Sequence, residues 1–267
     1  MKKIENLYNL KIITSGDRLE IYKMNNYLAR TDFEREIEKA QDTKDDEKRI
    51  QSLKDRKATL NKARNNIMRL IKANPDMTTF ITLTFSNVPD YKRSKQLLNI
   101  FFTKLRRDYT DLKYIWVLEL GEKNKRLHYH LLTNVLVSLN LSGNNETKSY
   151  AHKAYEEQFR KSYWEHGFVD IRDLYQEDNT NIALYVSAYI VKSLLEINVD
   201  GRVYGYSHKT IDRPVETKLY SNCSIEELLN HFKDYKIDYT NSYKIGFTDW
   251  KGERKGTVTY FDMSKKE

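Results

Sequence analysis

An α+β fold built on an antiparallel sheet is predicted by three observations. Short β-rich runs alternate with amphipathic helical runs between residues 78 and 210. Two of those runs are separated only by Gly121-Glu122-Lys123-Asn124-Lys125-Arg126, a turn too short for a parallel crossover. Hydrophobic residues make up 39% of the 267-residue chain and aromatics 12%, enough for a folded core despite 31% charged residues. Lys and Arg number 46 against 38 Asp and Glu, a net charge of +8 that favours a polyanionic partner. The single cysteine, Cys223, excludes an intramolecular disulfide and a multi-cysteine zinc cluster. No run of 18 apolar residues and no signal-like h-region occur, so a cytoplasmic protein with no membrane partner is expected.

The elements follow in order. Residues 8–24 read as a hairpin turning at Ser15-Gly16-Asp17. Residues 32–72 contain no Gly or Pro and read as a long helix with an apolar stripe through Ile50, Leu53, Leu60, Ala63, Ile67 and Leu70. Its second half, 48–72, holds nine bases and one acid, Asp55. Lys54, Arg56, Lys57, Lys62, Arg64 and Arg69 are therefore candidate phosphate-backbone contacts, set against the alternative of a solvated helix face. Thr78 to Phe85 is a strand, Lys92 to Tyr109 a helix, and Lys113–Leu120 and Leu127–Val135 an antiparallel pair. Ser149 to His166 is a helix, Gly167 to Asp173 a strand, Asn179 to Ile197 a helix and Val203 to Lys209 a strand. Within the resulting order β-α-β-β-α-β-α-β lies the ferredoxin-like, RRM-like split, an antiparallel sheet with helices on one face. The tail reads as a helix opened by a capping box, Ser224-x-x-Glu227, then two strands, Tyr239–Phe247 and Gly256–Phe261. The expected division is a hairpin-and-helix extension at 1–75, a core at 76–212 and a small α+β extension at 213–267 packed on that core.

Chemistry concentrates at two places. In Leu127-His128-Tyr129-His130-Leu131-Leu132 the two histidines are two apart on a strand, so both imidazoles leave the same face. Paired neutral imidazoles suit a divalent metal. A carboxylate is the expected third ligand, Glu119 or Glu122, and Glu119 is favoured because it sits at the strand end rather than in the turn. In Tyr185-Val186-Ser187-Ala188-Tyr189-Ile190-Val191-Lys192 the two phenols are i and i+4 on a helix and share a face, with Lys192 one turn beyond Tyr189. The competing reading is a tyrosine pair packed on the sheet. Thr82 and Thr84 read as β-branched strand formers, and His152, His166, His208 and His231 as surface or packing residues.

Taken in order, Phe80 to Phe85, His128-Tyr129-His130 and Tyr185 to Lys192 resemble the three motifs of the HUH endonuclease superfamily. They are most similar to the double-tyrosine replication initiators of small phages and plasmids. The resemblance covers roughly 78–210. It implies the HUH endonuclease fold and a metal-dependent nick and rejoining of single-stranded DNA at a replication origin, starting and ending rolling-circle replication. It implies Tyr189 as leading nucleophile, Tyr185 as a second, Lys192 as their neighbour, and His128, His130 and Glu119 as ligands of Mn2+ or Mg2+. It implies a 5′-phosphotyrosine intermediate, which conserves the ester's energy and agrees with the lack of a phosphate-binding G-x-x-x-x-G-K-[ST] loop. It further implies host helicase and polymerase as partners in the cytoplasm of a bacterial cell. A transposase or a mobilisation relaxase would share the chemistry, although relaxases usually carry three histidines. A rival of another class is a non-catalytic single-strand binder that uses its tyrosines as stacking platforms, a role that needs no metal ligands.

Overall fold

A computed structural model of the chain describes residues 7–30, 61–87, 89–121, 126–137, 148–174, 181–188, 202–248 and 253–266. The chain divides into two compact units, one formed by 55–212 and one by 1–54 with 213–267.

The first unit follows the predicted order. Strand β5 (Thr79–Phe85) leads to α2 (Tyr91–Asp108), β6 (Tyr114–Leu120), β7 (Leu127–Thr133), α3 (Tyr150–Tyr163) and β8 (Gly167–Asp173). Helix α4 (181–188) and the short β9 (Tyr204–Tyr206) complete it, and α1 (61–73) precedes it. The sheet is antiparallel throughout, in the order β8-β5-β7-β6-β9.

Each helix is placed by its apolar stripe and its caps. Helix α2 starts where Asp90 accepts a hydrogen bond from Arg93 N–H, and buries Leu97, Leu98, Phe101, Phe102 and Leu105. Helix α3 starts at Ser149, which accepts from His152 N–H. Both pack on the sheet face formed by Ile81, Leu83, Phe85, Trp116, Leu118, Tyr129 and Leu131. On this face the Lys95 ammonium lies 3.2 Å from the centre of the Trp116 ring. Burial first, and the Arg202 charge second, bring its pKa down to about 8.

The opposite face is covered as well, which differs from the one-sided arrangement expected. Ala63, Ile67, Leu70 and Ile71 of α1 and Ile182, Ala183 and Val186 of α4 pack there against Phe80, Ile115, Val117 and Leu132. The cause lies in the strands themselves. β6 is apolar at every position but Glu119, and with Phe80 of β5 and Leu132 of β7 its Ile115 and Val117 put a second apolar patch on the other face that needs cover.

The second unit is a sheet assembled from both ends of the chain. The hairpin β2 (Leu10–Ser15) and β3 (Arg18–Asn25) turns through Gly16 at φ 58°, a left-handed conformation that glycine adopts without penalty. β10 (Val215–Leu219), β11 (Tyr235–Thr248) and β12 (Arg254–Lys265) join it in the order β10-β2-β3-β12-β11. Helix α5 (Ile225–His231) starts with both bonds of the Ser224/Glu227 capping box and seats Leu228 on Leu10, Leu19, Ile21, Phe261 and Met263. A two-stranded ribbon pairs β1 (Leu7–Tyr8) with β4 (Ala29–Arg30). The terminal segments were expected as separate extensions. Here the hairpin and the tail share one sheet, and α1, grouped with the hairpin in the expected 1–75 segment, belongs to the first unit. Among the described residues no helix is long and apolar enough to cross a membrane.

Candidate active site

Strand register builds the site. Side chains alternate between sheet faces, and residues paired across strands share one. One row of paired residues therefore reads Phe168, Thr84, His128, Glu119. The next reads Asp170, Thr82, His130, Val117, Tyr204, and the third Arg172, Phe80, Leu132, Ile115, Tyr206. The two histidines thus lie at the centre of the sheet, on the face that α1 and α4 cover.

Their geometry is tightly held. The imidazole planes are 11° apart with ring centres separated by 6.3 Å. Thr84 Oγ1 lies 2.9 Å from His128 Nδ1, and Thr82 Oγ1 lies 3.1 Å from His130 Nδ1. Each threonine on β5 thus fixes the orientation of the histidine paired with it on β7. His130 Nε2 is hydrogen-bonded to Glu119 Oε2, and both residues are only 7% exposed. His128 Nε2 lies against Gly121 at the end of β6, where a Cβ would come within 2.6 Å of it. Phe80 stacks on the other side of His130 at 5.6 Å, and the Tyr185 ring meets Phe80 edge-on at 5.3 Å. At the β8 edge, Asp170 is paired to Lys148 at 2.5 Å and to Arg172 at 3.0 Å. Burial alone would raise its pKa, but the Lys148 and Arg172 bonds and charges outweigh it and lower the value.

Among the described residues no three His, Cys, Asp or Glu side chains stand ready around one point to hold a metal ion. Glu119 is closed onto His130, while its direct cross-strand neighbour is His128. The donor set nevertheless fits a divalent cation in kind: two imidazoles and a hard carboxylate on one sheet face. The threonine contacts at both Nδ1 atoms are the kind of outer partner that orients ligating imidazoles. At His128, an Nδ1–H donated to Thr84 leaves the Nε2 lone pair for a cation; at His130, Nε2–H donates to Glu119, so a cation would take the place of that proton.

Of the sequence-predicted residues, the structure brings Glu119, His128 and His130 together, with Tyr185 one ring away on α4 and 38% exposed. Tyr189, Lys192 and Glu122 lie outside the described residues, as do Lys54, Arg56 and Lys57. Lys62, Arg64 and Arg69 are on α1, Lys62 exposed and the other two half-buried. For Thr82 and Thr84, which match motif positions but read in sequence foremost as strand formers, the structure adds contacts to both histidines. The signal was present: T-x-T has the same two-residue spacing as H-x-H. Gly121 and Phe80 carried no such mark.

The antiparallel sheet thus presents two oriented imidazoles and a buried carboxylate, with a phenol nearby on α4. Residues 78–194, somewhat under half of the chain, match a family model described as Replication-associated protein, of the ORF2 type. This segment, running from β5 into α4, is similar to replication initiators and supports that general role for the chain. It contains every candidate ligand and both tyrosines; α1, β9 and the second unit lie outside it. No curated protein and no solved structure matches the chain.

Proposed function

We propose that this protein nicks and rejoins single-stranded DNA at a replication origin, through a covalent 5′-phosphotyrosine. One observation carries the reading. The threonine-backed histidine pair, Glu119 and Tyr185 share one sheet face within a segment similar to replication-associated proteins. His128, His130 and Glu119 would hold Mn2+ or Mg2+, which supplies charge stabilisation at the scissile phosphate when bound. Thr82 and Thr84 keep the imidazoles oriented. The phenol oxygen of Tyr189, or of Tyr185, attacks phosphorus. The phosphorus–O3′ bond breaks, the phenol gives up its proton, and the departing O3′ takes one up to become a free hydroxyl. Rejoining reverses these steps, so no nucleotide is consumed. Phe80 packs between Tyr185 and His130 and sets how far the phenol stands from the imidazoles. The released 3′-OH is a primer end for a host polymerase, with a host helicase opening the duplex ahead of it.

The test is incubation of the full chain with labelled single-stranded DNA from its own replicon, with Mn2+ and without it. A metal-dependent, protease-sensitive covalent adduct is expected. DNA cut without any adduct, or left uncut by folded protein, overturns the reading.

A further inference from the structure

Beyond β6 on the histidine-bearing face, residues of the edge strand β9 and helix α1 line an open pocket of about 450 Å3. Tyr204 and Tyr206 of β9, Asn66 of α1, and Arg202 and His208 line it. The Tyr206 and His208 rings lie 5.1 Å apart. Asn66 hydrogen-bonds the Tyr204 phenol, and burial raises that phenol's pKa, so the ring stays neutral as a wall. The register ties this cavity to the active site. Tyr204 pairs with Val117, which pairs with His130. Two strand spacings, about 10 Å, separate Tyr204 from His130 along that row.

We infer that this cavity holds one base of the DNA strand whose nearby phosphate sits at the histidine pair, an inference that rests on the nicking function proposed above. Three features select a nucleotide. The walls are aromatic, which suits the π-face of a base. The volume falls in the range of small-ligand sites. Cations are close by: Arg202 lines the pocket, and on α1 Lys62 is four residues before Asn66 and Arg69 three after, on the same side of the helix. Stacking tolerates any base, whereas the Asn66 amide can both donate and accept at a base edge. A neutral aromatic metabolite would have no use for the cations, and a phosphate alone would have none for the rings.

The test measures equilibrium binding of the full-length protein to a fluorescent oligonucleotide that spans its own nick site, without divalent metal so that the strand stays intact. A parallel set of oligonucleotides carries one abasic position each. The wild type is expected to lose about 5-fold or more in affinity at one abasic position near the nick. Tyr206→Ala and His208→Ala are expected to bind the intact strand about 5-fold more weakly, and to lose nothing further at that abasic position. His208 is exposed, so its variant separates stacking from folding. Variants that bind as tightly as the wild type and keep its abasic profile overturn the cavity assignment, while a normal covalent adduct in the same preparations leaves the nicking function standing. A folded wild type that binds no single strand and forms no adduct overturns both.

Discussion

Gly121→Ala is the sharpest perturbation of the histidine pair, because it adds one methyl group and replaces no candidate ligand. The new Cβ would stand 2.6 Å from His128 Nε2 and 3.1 Å from its Cδ2. Real contacts of this kind begin near 3.4 Å, so the ring must retreat by about 0.8 Å, the difference between those distances. It cannot do so freely, since its Nδ1 is held 2.9 Å from Thr84 Oγ1. A metal site tolerates about 0.2 Å. The ring therefore either breaks the threonine contact or leaves the ligand position. Losing such an orienting partner typically costs 10- to 100-fold in metal affinity, about 1.4 to 2.8 kcal/mol. Backbone strain adds nothing, because Gly121 is not among the positive-φ glycines and its N–H still reaches Arg126 O. The assay is calorimetric titration of Mn2+ into wild type, Gly121→Ala and His128→Ala, with thermal unfolding as a fold control. A folded Gly121→Ala protein that binds Mn2+ within 2-fold of wild type refutes the reasoning, and equal affinity in all three removes His128 from the site.

The other expectations are briefer. Tyr189→Phe should abolish most initial cleavage, while Tyr185→Phe should spare it and impair joining between two origin copies; peptide sequencing of the trapped adduct checks the assignment, and an adduct on neither tyrosine counts against this helix. Replacing Lys62, Arg64 and Arg69 by Gln should reduce the salt dependence of single-strand binding by about 0.7 in log–log slope for each phosphate no longer neutralised; an unchanged slope returns α1 to a solvated face. Lys95→Met should flatten the pH dependence of stability between about pH 8 and about 10.5. In that window the unfolded lysine binds a proton that the folded one has released, so this residue makes stability rise with pH, and denaturant midpoints of the two proteins across the window test the sign.

Much of the first unit was legible because its signals are local. The stripe Leu97, Leu98, Phe101, Phe102, Leu105 marks a helix by itself, and the H-x-H strand and its short turn define a hairpin that carries Glu119 back beside His128. What escaped depends on partners far away in sequence. The T-x-T spacing matches H-x-H but does not say that Thr82 will meet His130, which lies 48 residues on, and nothing in Gly121 says that an imidazole will press on it. Nor does either end of the chain name the other: Tyr22 pairs with Tyr260, and neither neighbourhood encodes the match. The strands at the tail also run longer than their alternation suggested. β11 extends over Tyr235–Thr248 because β12 offers it a partner along most of that length.

That last pairing imposes an order of events on the ribosome. The unit carrying the histidines ends at residue 212, so every residue it needs has been made before the second sheet can close. Strand β3 is complete by residue 25, yet its neighbour β12 begins at 254. At about 5 to 20 residues per second, the β3 edge waits on the order of ten seconds to a minute for its partner, and the β2 edge stays open until β10 is made. An open edge of that kind is a template for the wrong strand. Lys23 puts charge on the β3 edge until β12 covers it, and Lys11 does the same for the β2 edge until β10 does.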